Sequence, residues 1–339
     1  MTFQQVRNAL IKLGESFKSW SQHEDDWFKD AYVHNNWFTP ANLRLSLSAW
    51  SDQLVPSVLN AWLSSYDIKE NKADKIAIIM AGNIPLVGLH DLLTVLLSGN
   101  HAIVKLSAHD KVMMEKVINE LIHLETEMSG AIHISEERLP STFDAVIATG
   151  SNNTNRYFEY YFRNKPHLFR KGRTSLAVLT GHETSEDLRL LGDDVFSYFG
   201  LGCRNVSGIL VPKGYDFKEF FEAIEPAHEI MQHNKYMNNY GYHKTIFLMN
   251  GDRHLDNGFL LLLESENIFS PLGVLNYRFY DDELEVNSFI EKHRDSLQCL
   301  IGKTPGHIPF GKAQFPALHD YADNTDSMKF CLELKEHLV

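Results

Sequence analysis

The chain has 339 residues, of which 44% are hydrophobic and 22% charged, ordinary values for a globular protein long enough to form two lobes. Its formal net charge of -12 excludes general binding to nucleic acid or to an anionic membrane, since both need a positive field. Anionic small ligands held by a local basic loop remain open. Three cysteines, Cys203, Cys299 and Cys331, form no C-x-x-C pair, which excludes a zinc ribbon or a dithiol motif and suits a reducing cytoplasm.

Residues 1 to about 66 read as helical, with apolar residues at helical spacing and Trp20, Trp27, Trp37, Trp50 and Trp62 spread along the stretch. The first residues lack the apolar stretch of a signal peptide. Residues 75–80 (KIAIIM) read as a buried strand, followed by a Gly-Asn-Ile-Pro turn and a helix over 86–97 that is too short to span a bilayer. A cytoplasmic protein without membrane insertion is therefore expected. Strands follow at 102–106, 132–134, 145–149 and 175–179, with helices at 111–125 and 155–163. A second unit opens with a helix over 186–198, continues through Gly200-Leu201-Gly202-Cys203 into a strand at 208–211, and adds a helix near 217–232. Strands are expected near 245–249 and 274–279. Strand and helix in alternation imply right-handed parallel crossovers, hence α/β architecture with doubly wound sheets.

Three segments can carry chemistry. Gly200-Leu201-Gly202-Cys203-Arg204-Asn205 places a thiol between glycines and a strand, where the backbone can bend and Arg204 can favour the thiolate. Asn83, in a turn after a strand, can donate a side-chain N–H to a developing oxyanion. Gly150-Ser151, between a strand and a helix, can present backbone N–H groups to phosphate, although no G-x-G-x-x-G occurs. Singly, each has a plainer reading: a cysteine is usually a small buried hydrophobe, and an Asn tolerates turns. Seventeen histidines contain no H-E-x-x-H, so no metal is expected.

In order and rough spacing, these segments resemble the aldehyde dehydrogenase superfamily over roughly 75–279. Asn83 and Pro85 resemble its Trp-Asn-Phe-Pro turn; Val104-Lys105-Leu106-Ser107 its ribose-binding strand end; Thr149-Gly150-Ser151 its phosphate turn. Gly200 to Cys203 resembles its nucleophile segment, and Ile268-Phe269-Ser270-Pro271 its segment near the nicotinamide. The short length, the stretch 83–110 and the ending around 314–323 are similar to acyl-CoA reductases, which are related to the fatty-acid reductase subunit of bacterial bioluminescence. The resemblance implies an aldehyde-dehydrogenase-like fold: two doubly wound α/β lobes with a helical N-terminal layer. The implied domains are 1–180 (helical layer and NAD(P)-binding), 181–310 (catalytic) and 311–339, returning to the first lobe or to an oligomer interface.

The resemblance further implies Cys203 as nucleophile, Asn83 as oxyanion donor, and Lys105, Ser107, Gly150, Ser151, Phe269 and Asn267 as cofactor-binding. Two departures matter. Arg170, in Arg170-Lys171-Gly172-Arg173-Thr174-Ser175, stands where aldehyde oxidisers carry the Glu that activates water, and a guanidinium cannot be a general base. Asn267 stands where the family holds the nicotinamide ribose with a carboxylate. Ala108, three residues after Lys105, replaces a Glu that repels a 2′-phosphate, which favours NADPH over NADH. Arg170, Lys171 and Arg173 belong to a basic run that can bind substrate or cofactor phosphates, or can equally be a solvated loop. The expected reaction is NAD(P)H-dependent reduction of an acyl-CoA or acyl-carrier thioester to an aldehyde through acyl-Cys203, in a homo-oligomer that can work with an acyl-transfer enzyme. Two alternatives stay open: a CoA-acylating aldehyde dehydrogenase working oxidatively, and a non-catalytic superfamily relic serving as a binding partner.

Overall fold

The computed structural model describes residues 1–23, 25–68, 73–136, 139–140 and 142–334. Two compact units emerge: one formed by Met1–Gly172 with the chain from Ala317 onward, the other by Arg173–Pro316.

The first unit begins with four helices, α1 (Phe3–Gln22), α2 (Asp26–His34), α3 (Pro40–Gln53) and α4 (Pro56–Leu63). Local chemistry sets their starts. Thr2 and Gln5 form a reciprocal capping box on α1, and Thr39 caps α3 with Pro40 in its first turn. The strands β1 (Lys75–Ile79), β2 (His101–Lys105), β3 (Ile132–Ile134), β4 (Ala145–Thr149) and β5 (His167–Arg170) alternate with α5 (Leu89–Leu97), α6 (Lys111–Leu124), the short α7 (Met128–Ala131) and α8 (Asn152–Phe162). All pair in parallel in the order β3-β2-β1-β4-β5. The order reverses after β3, so crossovers lie on both faces. Side-chain alternation in β1 follows: Ile76 and Ile78 pack with α1, α3, α5 and α6, whereas Ala77 faces Phe158 of α8. The N-terminal helical layer is thus the cover of one face of this sheet.

In the second unit, β6 (Thr174–Val178), β7 (Val206–Pro212), β8 (His254–Asp256), β9 (Leu261–Glu264), β10 (Val274–Tyr280) and β11 (Leu297–Gly302) form a sheet ordered β11-β6-β7-β10-β9-β8. It is parallel except for the antiparallel edge strand β8. The helices α9 (Ser185–Phe196) and α10 (Lys218–Ile224) pack on one face and α12 (Glu283–His293) on the other; α11 (Asn234–Asn250) precedes the β8 edge. A last short helix, α13 (Ser327–Leu332), belongs to the first unit. No described helix is long and apolar enough to cross a membrane.

Several elements differ from the sequence expectation. Residues 245–249 are the end of α11, not a strand; the helix buries Tyr236, Tyr240 and Phe247 and stops at Gly251, whose φ is 73°. A five-residue apolar run has no period long enough to tell the two apart. The strand at 174–178 pairs with β7 and β11, placing it in the second sheet rather than closing the first. The basic run contains β5, an edge strand of the first sheet. Residues 335–339 of the expected C-terminal segment lie outside the described residues.

That strand also corrects the expected role of Arg170. The residue is 3% exposed, so its guanidinium cannot meet a ligand phosphate in solvent. Nη2 donates to Asp91 of α5, itself 5% exposed, and Nη1 donates to the Ala322 carbonyl at 2.7 Å. One buried cation thereby joins β5, α5 and the returning C-terminal segment. Removing its counter-charge strands the guanidinium in the core, so Asp91→Ala is expected to lose about 3–5 kcal/mol in urea unfolding. Replacing both residues with apolar ones of similar volume, Asp91→Leu with Arg170→Met, should restore most of it. A single-variant loss below about 1 kcal/mol would contradict the pair's burial.

Candidate active site

In the first unit, the turn carrying Asn83, the Lys105–Ser107 segment and Gly150-Ser151 follow β1, β2 and β4 directly. All lie at the carboxyl edge of the parallel sheet, where its strand order reverses between β1 and β4. A Cβ on Gly82 would overlap the Ser107 side chain and come within 3.1 Å of the Asp110 backbone nitrogen, so these two loops are in direct contact. Asn83 is exposed. Its turn is fixed from behind: the Leu86 N–H donates to Asp110 Oδ2 at 2.9 Å while Leu86 takes φ of 59°, and Ser46 donates to the Pro85 carbonyl at 3.0 Å. Asp110 is 2% exposed with no partner for Oδ1, and burial holds its carboxyl well above the usual range. No residue motif announces Asp110; it is visible only once the two loops meet.

Lys105 donates its ammonium to the Glu136 carbonyl after β3. Ser107 caps the following turn by accepting from the His109 N–H at 3.2 Å. Ser151 caps α8 by accepting from the Thr154 N–H at 3.2 Å. Behind it, the buried Asn155 amide donates to the carbonyls of Gly150, Ser151 and Arg170, tying the β4 and β5 ends together. The basic trio does not form a patch. Arg170 is buried, Arg173 is half-buried and donates to the Leu297 carbonyl at 2.9 Å, and only Lys171 is exposed, with Glu159 at 3.5 Å.

In the second unit, Cys203 follows a backbone that few sequences adopt. Tyr198, Phe199 and Gly200 take φ of 51°, 59° and 79° in succession. The left-handed region costs non-glycine residues about 1–3 kcal/mol each, so two of the three are strained. Asn205 holds the turn. Its Oδ1 accepts from the Gly202 N–H at 2.8 Å, and its Nδ2 donates to the carbonyls of Asp194 at 3.0 Å and Ser197 at 2.8 Å. Ser175, fully buried on β6, donates to the Cys203 carbonyl at 3.0 Å. The result is a half-buried thiol, whereas Cys299 and Cys331 are buried at 7% and 3% exposure.

The 266–270 segment reaches the same end of this sheet. Ser207 donates to the Ile268 carbonyl at 2.6 Å, and Asn276 donates to the carbonyls of Asn267 and Phe269. Phe269 is 39% exposed. The Asn267 side chain accepts from the Phe269 N–H at 3.0 Å, so it shapes its own loop. Glu266 is paired with Arg278 at 2.6 Å.

Asp194, on α9, is the other residue that sequence reasoning missed. It is 1% exposed, and its two oxygens accept from the Gly311 N–H at 2.7 Å and the Ala313 N–H at 2.9 Å. Burial pushes its carboxyl up to about 6, against those two bonds, which lower it. The folded state therefore holds a proton that the unfolded chain has released. Stability from this group is present below the ordinary carboxyl value and lost as pH rises through about 6. Between pH 4 and 7 this loss amounts to about 3 kcal/mol, and Asp194→Asn should flatten the corresponding slope of unfolding stability against pH. An unchanged slope in the variant would show that Asp194 does not titrate in this range.

The acyl-CoA reductase (LuxC) family profile matches residues 55–300, well over half of the sequence. No curated protein matches the chain. Among solved structures, aldehyde dehydrogenase 21 from Physcomitrella patens, in complex with the reaction product succinate, superposes with a TM-score of 0.70 at 12% identity, covering 98% of this chain and 84% of that one. An aldehyde dehydrogenase of Mycobacterium tuberculosis complexed with NAD+ gives 0.63 at 14% identity, over 85% and 71%. The glyceraldehyde-3-phosphate dehydrogenase GapN of Methanocaldococcus jannaschii, complexed with NADP, gives 0.63 at 12%, over 90% and 77%. At such identities these neighbours show the aldehyde-dehydrogenase-like fold. The profile goes further: the chain belongs to the acyl-CoA reductase (LuxC) family and is an oxidoreductase acting on acyl and aldehyde groups.

Proposed function

We propose that the chain reduces an acyl thioester, presented by CoA or a carrier protein, to an aldehyde through an acyl-Cys203 intermediate, with NADPH preferred over NADH. The observation that carries this reading is the strained, side-chain-stitched turn that keeps Cys203 half-exposed while the other two thiols are buried.

The Cys203 thiolate attacks the thioester carbonyl carbon, the bond to the donor sulfur breaks, and the departing thiolate takes a proton from solvent. One thioester replaces another, so the exchange is nearly balanced in energy. Asn83 donates its amide N–H to the oxyanion of this step. Hydrolysis of the acyl group needs a base to activate water. The position resembling that base is Arg170, whose guanidinium is buried against Asp91. The acyl group therefore waits on Cys203.

The first unit suits a phosphorylated dinucleotide. Its carboxyl edge offers the Lys105 ammonium, the hydroxyls of Ser107 and Ser151, and the glycine-led start of α8. Ala108 follows Ser107, and Asp110 beyond it is buried, so neither sets an exposed carboxylate there against a 2′-phosphate. When bound, the nicotinamide supplies the hydride that the reduction consumes.

Acyl-CoA mixed with the protein should add one acyl mass to the Cys203 peptide, and NADPH should then remove it with release of aldehyde. Cys203→Ala should abolish the adduct and lower thioester-dependent NADPH oxidation by at least about 10³-fold. Full activity in that variant would sink the reading. Asn83→Ala should lower kcat by about 10²–10³-fold with little change in KM, as for the loss of one oxyanion donor. A change confined to KM would assign Asn83 to binding instead.

A further inference from the structure

Asp194 has no place in the chemistry just described, yet the second unit buries its carboxylate at the cost that any desolvated charge carries. What it holds explains its presence. The backbone carbonyl of Asp194 accepts from Asn205, the residue whose amide closes the nucleophile turn by taking the Gly202 N–H. The side-chain carboxylate accepts from Gly311 and Ala313, residues more than a hundred positions away in sequence. The carbonyl of Ala313 in turn accepts from Arg204 Nε at 2.5 Å, and Arg204 is the residue next to Cys203. A single aspartate thus grips the turn from both sides, through Asn205 two residues after the sulfur and through the 311–313 loop and Arg204 one residue after it.

We propose that Asp194 is a positioning residue for the nucleophile: it sets where the Cys203 sulfur stands and keeps the guanidinium of Arg204, the next residue in the chain, fixed on the Ala313 carbonyl. The inference rests on Cys203 being the nucleophile. Neighbouring charges support a closed arrangement. Arg204 favours the ionised form of Asp194, Asp193 on the same helix opposes it and is itself paired with Arg189, and the Lys312 ammonium of the loop lies over the Phe315 ring. A leucine would fill the same volume, but it would leave two buried backbone N–H groups without acceptors and release the carbonyl that anchors Arg204. An arginine held to a backbone carbonyl, rather than swinging in solvent, is a fixed cation one residue along the chain from the thiol, and a fixed cation near a thiol favours the thiolate.

The test uses the full chain as wild type, Asp194→Asn and Arg204→Gln. Asparagine keeps the shape but offers one acceptor where two N–H donors point, and turns an NH2 group toward the other. Iodoacetamide alkylation is followed across pH by peptide mass mapping at Cys203, the other two thiols being buried. kcat and KM are measured with acyl-CoA and NADPH. Both variants are expected to alkylate about tenfold more slowly near pH 7, with the midpoint of the profile moved to higher pH, and to lose about tenfold in kcat with KM within about twofold. A residue that only stabilises the fold would lower the unfolding midpoint and leave the alkylation profile unmoved. A folded Asp194→Asn protein with a profile within about twofold of wild type overturns the proposal; should that variant fail to fold, an unchanged Arg204→Gln profile does so. Failure of the functional reading looks different: wild type alkylated at Cys203 but without an acyl adduct or thioester-dependent NADPH oxidation.

Discussion

The second unit is organised around one backbone constraint, the succession of left-handed residues Tyr198, Phe199 and Gly200 ahead of Cys203. Left alone, such a segment would relax, because the two aromatic residues meet their own backbone in that region. It persists because Asn205 satisfies the Gly202 N–H and two carbonyls of the preceding chain at once, and because Ser175 on the neighbouring strand takes the Cys203 carbonyl. The strain is thereby offset by buried hydrogen bonds, each costly to leave unmade. Phe199 contributes packing, its ring 4.3 Å from that of His233 at the start of α11. A thiol presented on such a turn keeps its place without needing a rigid helix or strand under it.

The first unit uses a different device to the same end. There the parallel sheet supplies a common edge, and the connections that follow β1, β2 and β4 are gathered along it. What gives the Asn83 turn its conformation is again a buried polar group beneath it: Asp110 takes the Leu86 N–H. In both units a side chain that never faces solvent decides the posture of one that does. These buried carboxyls are expensive to retain, and their cost is consistent with a requirement for placement rather than for stability.

Arg170 shows how the same position can be turned from chemistry to architecture. The resemblance to aldehyde dehydrogenases sets a water-activating carboxylate at this position, where the chain has a guanidinium. The guanidinium instead turns inward to Asp91 and the Ala322 carbonyl, and joins the returning C-terminal segment to the sheet.

Much of this was legible along the chain. The strands at 75–79, 101–105, 132–134 and 145–149 show as short β-branched runs between turn residues, and their alternation with amphipathic helices implies a parallel sheet. Because loops of such sheets converge at one edge, Asn83, Lys105, Ser107, Gly150 and Ser151 could be assigned to a common rim before any coordinates. Local periodicity could not say which sheet residues 174–178 join, nor that 245–249 extend a helix, because both depend on partners distant in sequence. It could not separate the buried Arg170 from the exposed Lys171 beside it, since only the fold decides that the last residue of β5 turns inward and the next one outward. Asp110 and Asp194 remained silent for the same reason: hydrogen bonds from backbone groups to a buried carboxylate leave no spacing in the sequence. Only the tertiary structure, which brings residue 194 against residue 313, decides what such a carboxylate holds.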